Sequence, residues 1–132
     1  MSQTTTAVAT AVSPITWFEI PTVDFDRARR FYETILETTI EAMEFGPARI
    51  AIFPHAGPGI TGCLDESSAS RPAAAGTVVY LKIADGRLDR ALALVESAGG
   101  SIAVEKIELE GVGWVAHVLD TEGNRVGLHA IS

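Results

Sequence analysis

A chain of 132 residues, 47% of them hydrophobic, is long enough for one domain with a real core and too apolar to be disordered. Its net charge is −7 and its ten lysines and arginines are scattered, so no basic stripe exists to neutralise phosphates; neither nucleic acid nor an anionic membrane is expected as a partner. One cysteine, Cys63, rules out an internal disulfide and fits a reducing cytoplasm, and no apolar run is long enough to span a bilayer.

Residues 1–13 are rich in Thr and Ala, lack the basic and apolar regions of a signal peptide, and read as a mobile tail. Residues 15–21, I-T-W-F-E-I-P, form a β-rich run closed by proline. Period two puts Phe18 and Ile20 on one face and Trp17 and Glu19 on the other. Asp24 then caps a predicted helix from 25 to about 37, whose stripe is Phe25, Ala28, Tyr32 and Ile35. Three strands are expected at 39–45, 48–53 and 60–65, parted by Gly46-Pro47 and by the H-A-G-P-G turn at 55–59. Residues 66–76 carry no period and read as a linker.

The pattern then restarts. A strand over 77–83 puts Val79, Leu81 and Ile83 on one face and Val78, Tyr80 and Lys82 on the other. A helix from 87 to about 98, with Leu88, Ala91, Leu92 and Val95 as its stripe, is stopped by Gly99-Gly100. Strands at 101–109, 113–119 and 125–131 complete the chain. The last two are joined by D-T-E-G-N, a run of turn formers in which Gly123 can take φ > 0. The final strand has Val126, Leu128 and Ala130 at its back and Arg125, Gly127 and His129 at its front.

The order is strand, helix, three strands, twice. This predicts an α+β domain over 14–132: module one about 14–65, a linker about 66–76, and module two about 77–132. One helix covers one face of its sheet. The opposite faces are left to curve around a cleft, so two βαβββ modules should form a curved mixed sheet about a pocket.

The stretches I-T-W-F-E-I-P-T-V-D-F-D-R-A-R-R-F-Y-E and D-T-E-G-N-R-V-G-L-H resemble the vicinal oxygen chelate superfamily of glyoxalase I, bleomycin-resistance proteins and extradiol dioxygenases. The likeness is greatest to a bacterial branch of small glyoxalase-like proteins. The resemblance implies four metal ligands on the concave face in the metal-dependent members. Carried over here, they fall on Trp17, on Val78 or Val79, near Gly62 or Cys63, and on Gly127. Indole, isopropyl and hydrogen do not bind a divalent metal. No metal and no other cofactor is therefore expected, and lactoylglutathione lyase activity, which needs the metal, is not expected either.

The concave face should instead collect Trp17 and Glu19, Tyr80 and Lys82, Arg125, Gly127 and His129, with His117 joining by period. Trp17 offers a wall for a planar ligand and Gly127 leaves room at the floor. Lys82, Arg125 and His129 can meet a carboxylate or enolate, and Glu19 can pair with Lys82 or Arg125. The expectation is a metal-independent small-molecule-binding protein holding a planar or acidic organic ligand. Two alternatives stand beside it: an acid–base isomerase or lyase working through Glu19 or His129, and a metal-dependent lyase or dioxygenase with displaced ligands from Glu19, His117 and His129. The resemblance also implies a homodimer.

Overall fold

The computed structural model describes residues 14–57, 59–67 and 70–132; the expected tail at 1–13 lies outside them. Ten elements follow in chain order: β1 (Trp17–Pro21), α1 (Phe25–Leu36), β2 (Ala42–Phe45), β3 (Ala48–Ile52), β4 (Thr61–Asp65), β5 (Val79–Lys82), α2 (Leu88–Val95), β6 (Ser101–Leu109), β7 (Gly113–Leu119) and β8 (Arg125–Ala130). They make two four-stranded sheets, ordered β1-β4-β3-β2 and β5-β8-β7-β6. The pairs β1–β4 and β5–β8 are parallel and the rest antiparallel, so each sheet is mixed and each module is βαβββ.

Several elements are shorter than the sequence suggests, each for a local reason. Asp24 accepts from the Arg27 amide at 3.1 Å and starts α1 as expected. Glu37 then turns left-handed at φ 52 and its amide closes onto Glu33 and Thr34, ending the helix one residue early. The Glu33 carboxylate takes the Ile40 amide at 2.8 Å, which holds the chain out of the sheet until Ala42. β5 starts only at Val79, paired with Val126. The next amide back along β8, that of Arg125, is spent on the Ala73 carbonyl, so Thr77 and Val78 are left without a partner strand. α2 gives way to turns after Val95, whose carbonyl accepts from Gly100.

One core joins the modules. Ile20, Phe31, Tyr32 and Ile35 from the first belong to the same buried cluster as Leu81, Ile83, Val95 and Leu128 from the second. Burying each large side chain of this kind contributes about 1.5–3 kcal/mol. Tyr32 stands edge-on to Phe31 and Phe53, with centroids 5.0 and 5.5 Å away.

The β7–β8 turn adds a polar clasp between the modules. Glu122 is buried there and reaches the β1–α1 junction. Its Oε1 accepts from the amides of Val23 at 2.8 Å and Asp24 at 2.6 Å, and Arg27 donates to Oε2 at 2.8 Å. Burial alone would raise the Glu122 pKa. The Arg27 guanidinium, the Asp24 amide, the Thr121 hydroxyl and the Val23 amide outweigh it and hold the carboxyl at about 2. Asp120 Oδ1 accepts from the amides of Glu122 and Asn124, both at 2.8 Å, and its Oδ2 accepts from the Tyr32 hydroxyl at 2.6 Å. Burial, then the Asp120 charge, pushes that phenol well above its ordinary range. Asn124 donates to the Pro21 carbonyl at 2.8 Å and accepts from Ala73 at 3.2 Å. The turn that reads locally as a string of loop formers is thus the anchor of the first module's helix.

Candidate functional site

In both modules the sheet face away from the helix is left open, and period two decides what stands on it. Counting back from the first helical residue aligns the modules: Trp17 and Tyr80 each lie eight positions before Phe25 and Leu88. Trp17 pairs with Thr61 on β4, and Tyr80 with Gly127 on β8. Two residues further, Glu19 pairs with Cys63 and Lys82 with His129.

This register corrects the alignment expected from the sequence. The counterpart of Trp17 is Tyr80, not Val78 or Val79, and the counterpart of Gly127 is Thr61, not Gly62 or Cys63. The four positions that would carry a metal then hold an indole, an alcohol, a phenol and a hydrogen. At the last of them a Cβ on Gly127 would sit 2.3 Å from Tyr80 Cδ2, so any side chain there would displace the phenol ring. These residues do not fit a metal. Nor do Glu19, His117 and His129 come together as displaced ligands: among the described residues no three His, Cys, Asp or Glu side chains gather to hold a metal ion.

A cavity of about 890 Å³ opens between the edge strands β1 and β5. Trp17, Tyr80 and Lys82 line it, together with apolar side chains of the core such as Phe18, Phe53 and Leu81. Glu19, His117, Arg125, Gly127 and His129 do not line it. The expected constellation is therefore split into a cavity group and a group on the open front of the second sheet, bridged by Tyr80.

The front group is hydrogen-bonded within itself. Arg125 donates from Nε to the Ala74 carbonyl at 3.0 Å, and its Nη1 lies 3.2 Å from His117 Nδ1. His117 Nε2 is 2.5 Å from the Tyr80 hydroxyl. His129 Nε2 stands 2.7 Å from the Val112 carbonyl, so it carries a hydrogen that is spent within the chain. The expected ion pair of Glu19 with Lys82 or Arg125 is not formed. Glu19 accepts instead from the Trp17 indole at 3.4 Å, and Lys82 has no ion-pair partner among the described residues. The Cys63 thiol is pushed up to about 12 by burial and by the Glu19 and Asp65 charges, so it stays a protonated, unreactive side chain.

Sequence reasoning placed His117 on this face by period but did not find its partners. The signal was present in the turn: a five-residue connection at 120–124 sets Leu119 opposite Arg125 and hence His117 opposite Gly127. Residues on one side of a hairpin could have been paired by that count.

The Glyoxalase/Bleomycin resistance protein/Dioxygenase superfamily model matches residues 14–128. No curated protein matches the chain. Among solved structures, a glyoxalase/bleomycin resistance protein from Albidiferax ferrireducens is similar with a TM-score of 0.66 at 17% identity, covering 89% of this chain and 98% of that one. The fosfomycin resistance protein FosX from Listeria monocytogenes, in a mutant complexed with Mn(II) and 1S,2S-dihydroxypropylphosphonic acid, is similar at 0.65 and 16% identity, covering 93% and 95%. A glyoxalase I mutant from Zea mays is similar at 0.64 and 18% identity, with 89% of this chain matching 46% of that one. At these identities the likeness is one of fold.

Proposed function

Since the chain belongs to the Glyoxalase/Bleomycin resistance protein/Dioxygenase superfamily, we propose that it binds a small organic molecule, planar or acidic, without a metal. The cavity between β1 and β5 carries this reading. Its volume suits a small ligand, its walls are largely apolar, and Trp17 and Tyr80 flank it from facing strands. Lys82, with no ion-pair partner among the described residues, supplies the one cationic side chain on its wall that is free to meet an acid. Arg87, the other cation there, is tied to Glu37 at 2.5 Å. Metal independence rests on the chemistry of Trp17, Thr61, Tyr80 and Gly127.

The acid–base reading has less support, since Glu19 is held by Trp17 and His129 by the Val112 carbonyl. A homodimer is part of the proposal. The open fronts leave Met43, Phe45, Ile107 and Leu109 between 41% and 70% exposed, an apolar load that a second copy would cover. No helix of the described residues is long and apolar enough to cross a membrane. The cytoplasm is proposed only from the single cysteine.

The test uses a Trp114→Phe background, in which Trp17 is the one remaining indole. Aromatic acids should quench its fluorescence with saturation, and protein purified without an affinity tag should contain no stoichiometric metal. If the whole panel leaves the emission unchanged, the binding reading fails; stoichiometric Zn, Mn, Ni or Fe would sink the metal-free part. Sedimentation at micromolar concentration checks the dimer.

A further inference from the structure

Tyr80, Gly127 and His117 form one row across three strands, because Gly127 on β8 is paired with Tyr80 on one side and His117 on the other. Neighbouring strands lie about 4.8 Å apart, so Tyr80 and His117 are two strand spacings from each other. Their side chains meet only because nothing stands between them. The Tyr80 ring lies down over the Gly127 Cα, where any Cβ would be 2.3 Å from Cδ2 and 2.4 Å from Cε2. The glycine that removes a carboxylate from this front is the same glycine that lets a phenol cross it.

The proton positions in the row follow from donor and acceptor inventory. A guanidinium has donors only, so Arg125 Nη1 at 3.2 Å makes His117 Nδ1 an acceptor. A neutral imidazole then carries its single hydrogen on Nε2, 2.5 Å from Tyr80 Oη. That N–H donates to the phenol oxygen. The phenol's own hydrogen is not used in the row and has to find an acceptor elsewhere. Tyr80 is 47% exposed and lines the cavity, and Lys82 stands two residues along the same face of β5.

We propose that Tyr80 is a directed hydrogen-bond donor to an anionic oxygen of the ligand, a carboxylate on a planar organic body. Lys82 supplies the counter-charge, and His117 and Arg125 are positioning residues that fix which way the phenol donates. The inference rests on the small-molecule reading above and narrows it to one class of ligand and one contacting atom.

Two measurements test it. Nitrogen-15 NMR of the imidazoles, with His117 assigned by its loss in His117→Gln, reads the tautomer without any ligand. His117 should be in the Nε2–H form, and Arg125→Met should mix the two forms. Benzoate and benzyl alcohol, titrated against the Trp17 emission, read the ligand class. Benzoate should bind more tightly, and Tyr80→Phe, which keeps the ring on Gly127, should weaken benzoate about tenfold while leaving benzyl alcohol unchanged. An Nδ1–H tautomer for His117 overturns the proposal, whatever binds. So does equal binding of the two probes, or benzoate affinity indifferent to Tyr80→Phe; in those cases the small-molecule reading survives. If neither probe binds in the Trp114→Phe background, the proposal falls, while the small-molecule reading fails only when the whole panel of acids leaves the Trp17 emission unchanged.

Discussion

The β7–β8 hairpin carries polar residues at its tip and along its front, and the two sets are treated in opposite ways. At the tip, Asp120, Glu122 and Asn124 are buried and hydrogen-bonded to one another's backbone and to the β1–α1 junction. Along the front, His117 and Arg125 are half-buried and end in a phenol that is nearly half exposed. A buried network with all its donors and acceptors matched rigidifies a fold and has nothing left to offer a ligand. A chain of hydrogen bonds that stops at the surface with one hydrogen unspent still has a donor to offer. The same density of polar side chains therefore means structure in one place and, on the proposal above, recognition a few residues away, and the difference lies in whether the network closes.

The largest effect of a single substitution is expected at the tip. Glu122→Ala should cost about 3 kcal/mol of unfolding free energy, because it strands two backbone amides and leaves Arg27 without its buried partner. Urea denaturation measures it, and a loss under about 1 kcal/mol would mean the clasp adds little to the core that joins the modules.

Acid probes the same contact without mutation. The folded pKa of Glu122 is about 2, below its ordinary 4.5, so its stabilisation is fully present above pH 4.5 and is lost as pH falls towards 2. The fall should amount to roughly 3 kcal/mol from this group, and Glu122→Gln should flatten that part of the profile. An unchanged slope in the variant would assign the acid sensitivity to other carboxylates.

Gly127→Ala strikes the front. The new methyl displaces the Tyr80 ring and separates its hydroxyl from His117, at a stability cost of about 1 kcal/mol, since the ring can swing into solvent. Weaker benzoate binding with the Nε2–H tautomer kept by Arg125, and only that modest change in stability, would set the two regions further apart. The smallest effect is expected from Tyr80→Phe, within about 0.5 kcal/mol by the same denaturation measurement. A larger loss would move Tyr80 from recognition into structure.

What could be read in the sequence follows the range of the interactions. The stripe of α1, its Asp24 cap and the facing of β1, β5 and β8 depend on neighbours within a turn or two, and they were legible. Strand starts at Ala42 and Val79 were not, because distant or side-chain acceptors, the Ala73 carbonyl and the Glu33 carboxylate, compete for the amides there. The candidate site was legible as a set of residues sharing a face. Its division was not, since Trp17, Tyr80 and Lys82 are set apart by bordering the gap between β1 and β5, and no local pattern shows that β5 is an edge strand facing β1. The tip was least legible of all. D-T-E-G-N satisfies every local rule for a turn, and nothing local tells that Glu122 serves amides 98 and 99 positions earlier.

That separation also bears on the order in which the chain folds. The start of α1 can form early from its own cap and stripe, but the anion that ties its first turn down is nearly a hundred residues further on. Closing so long a loop is an entropic cost that local contacts do not offset, so the step that locks the first module should come late and slowly, after the last hairpin has formed. Until then the β1–α1 junction has its shape without its counter-ion, and the first module is complete in pattern before it is complete in energy.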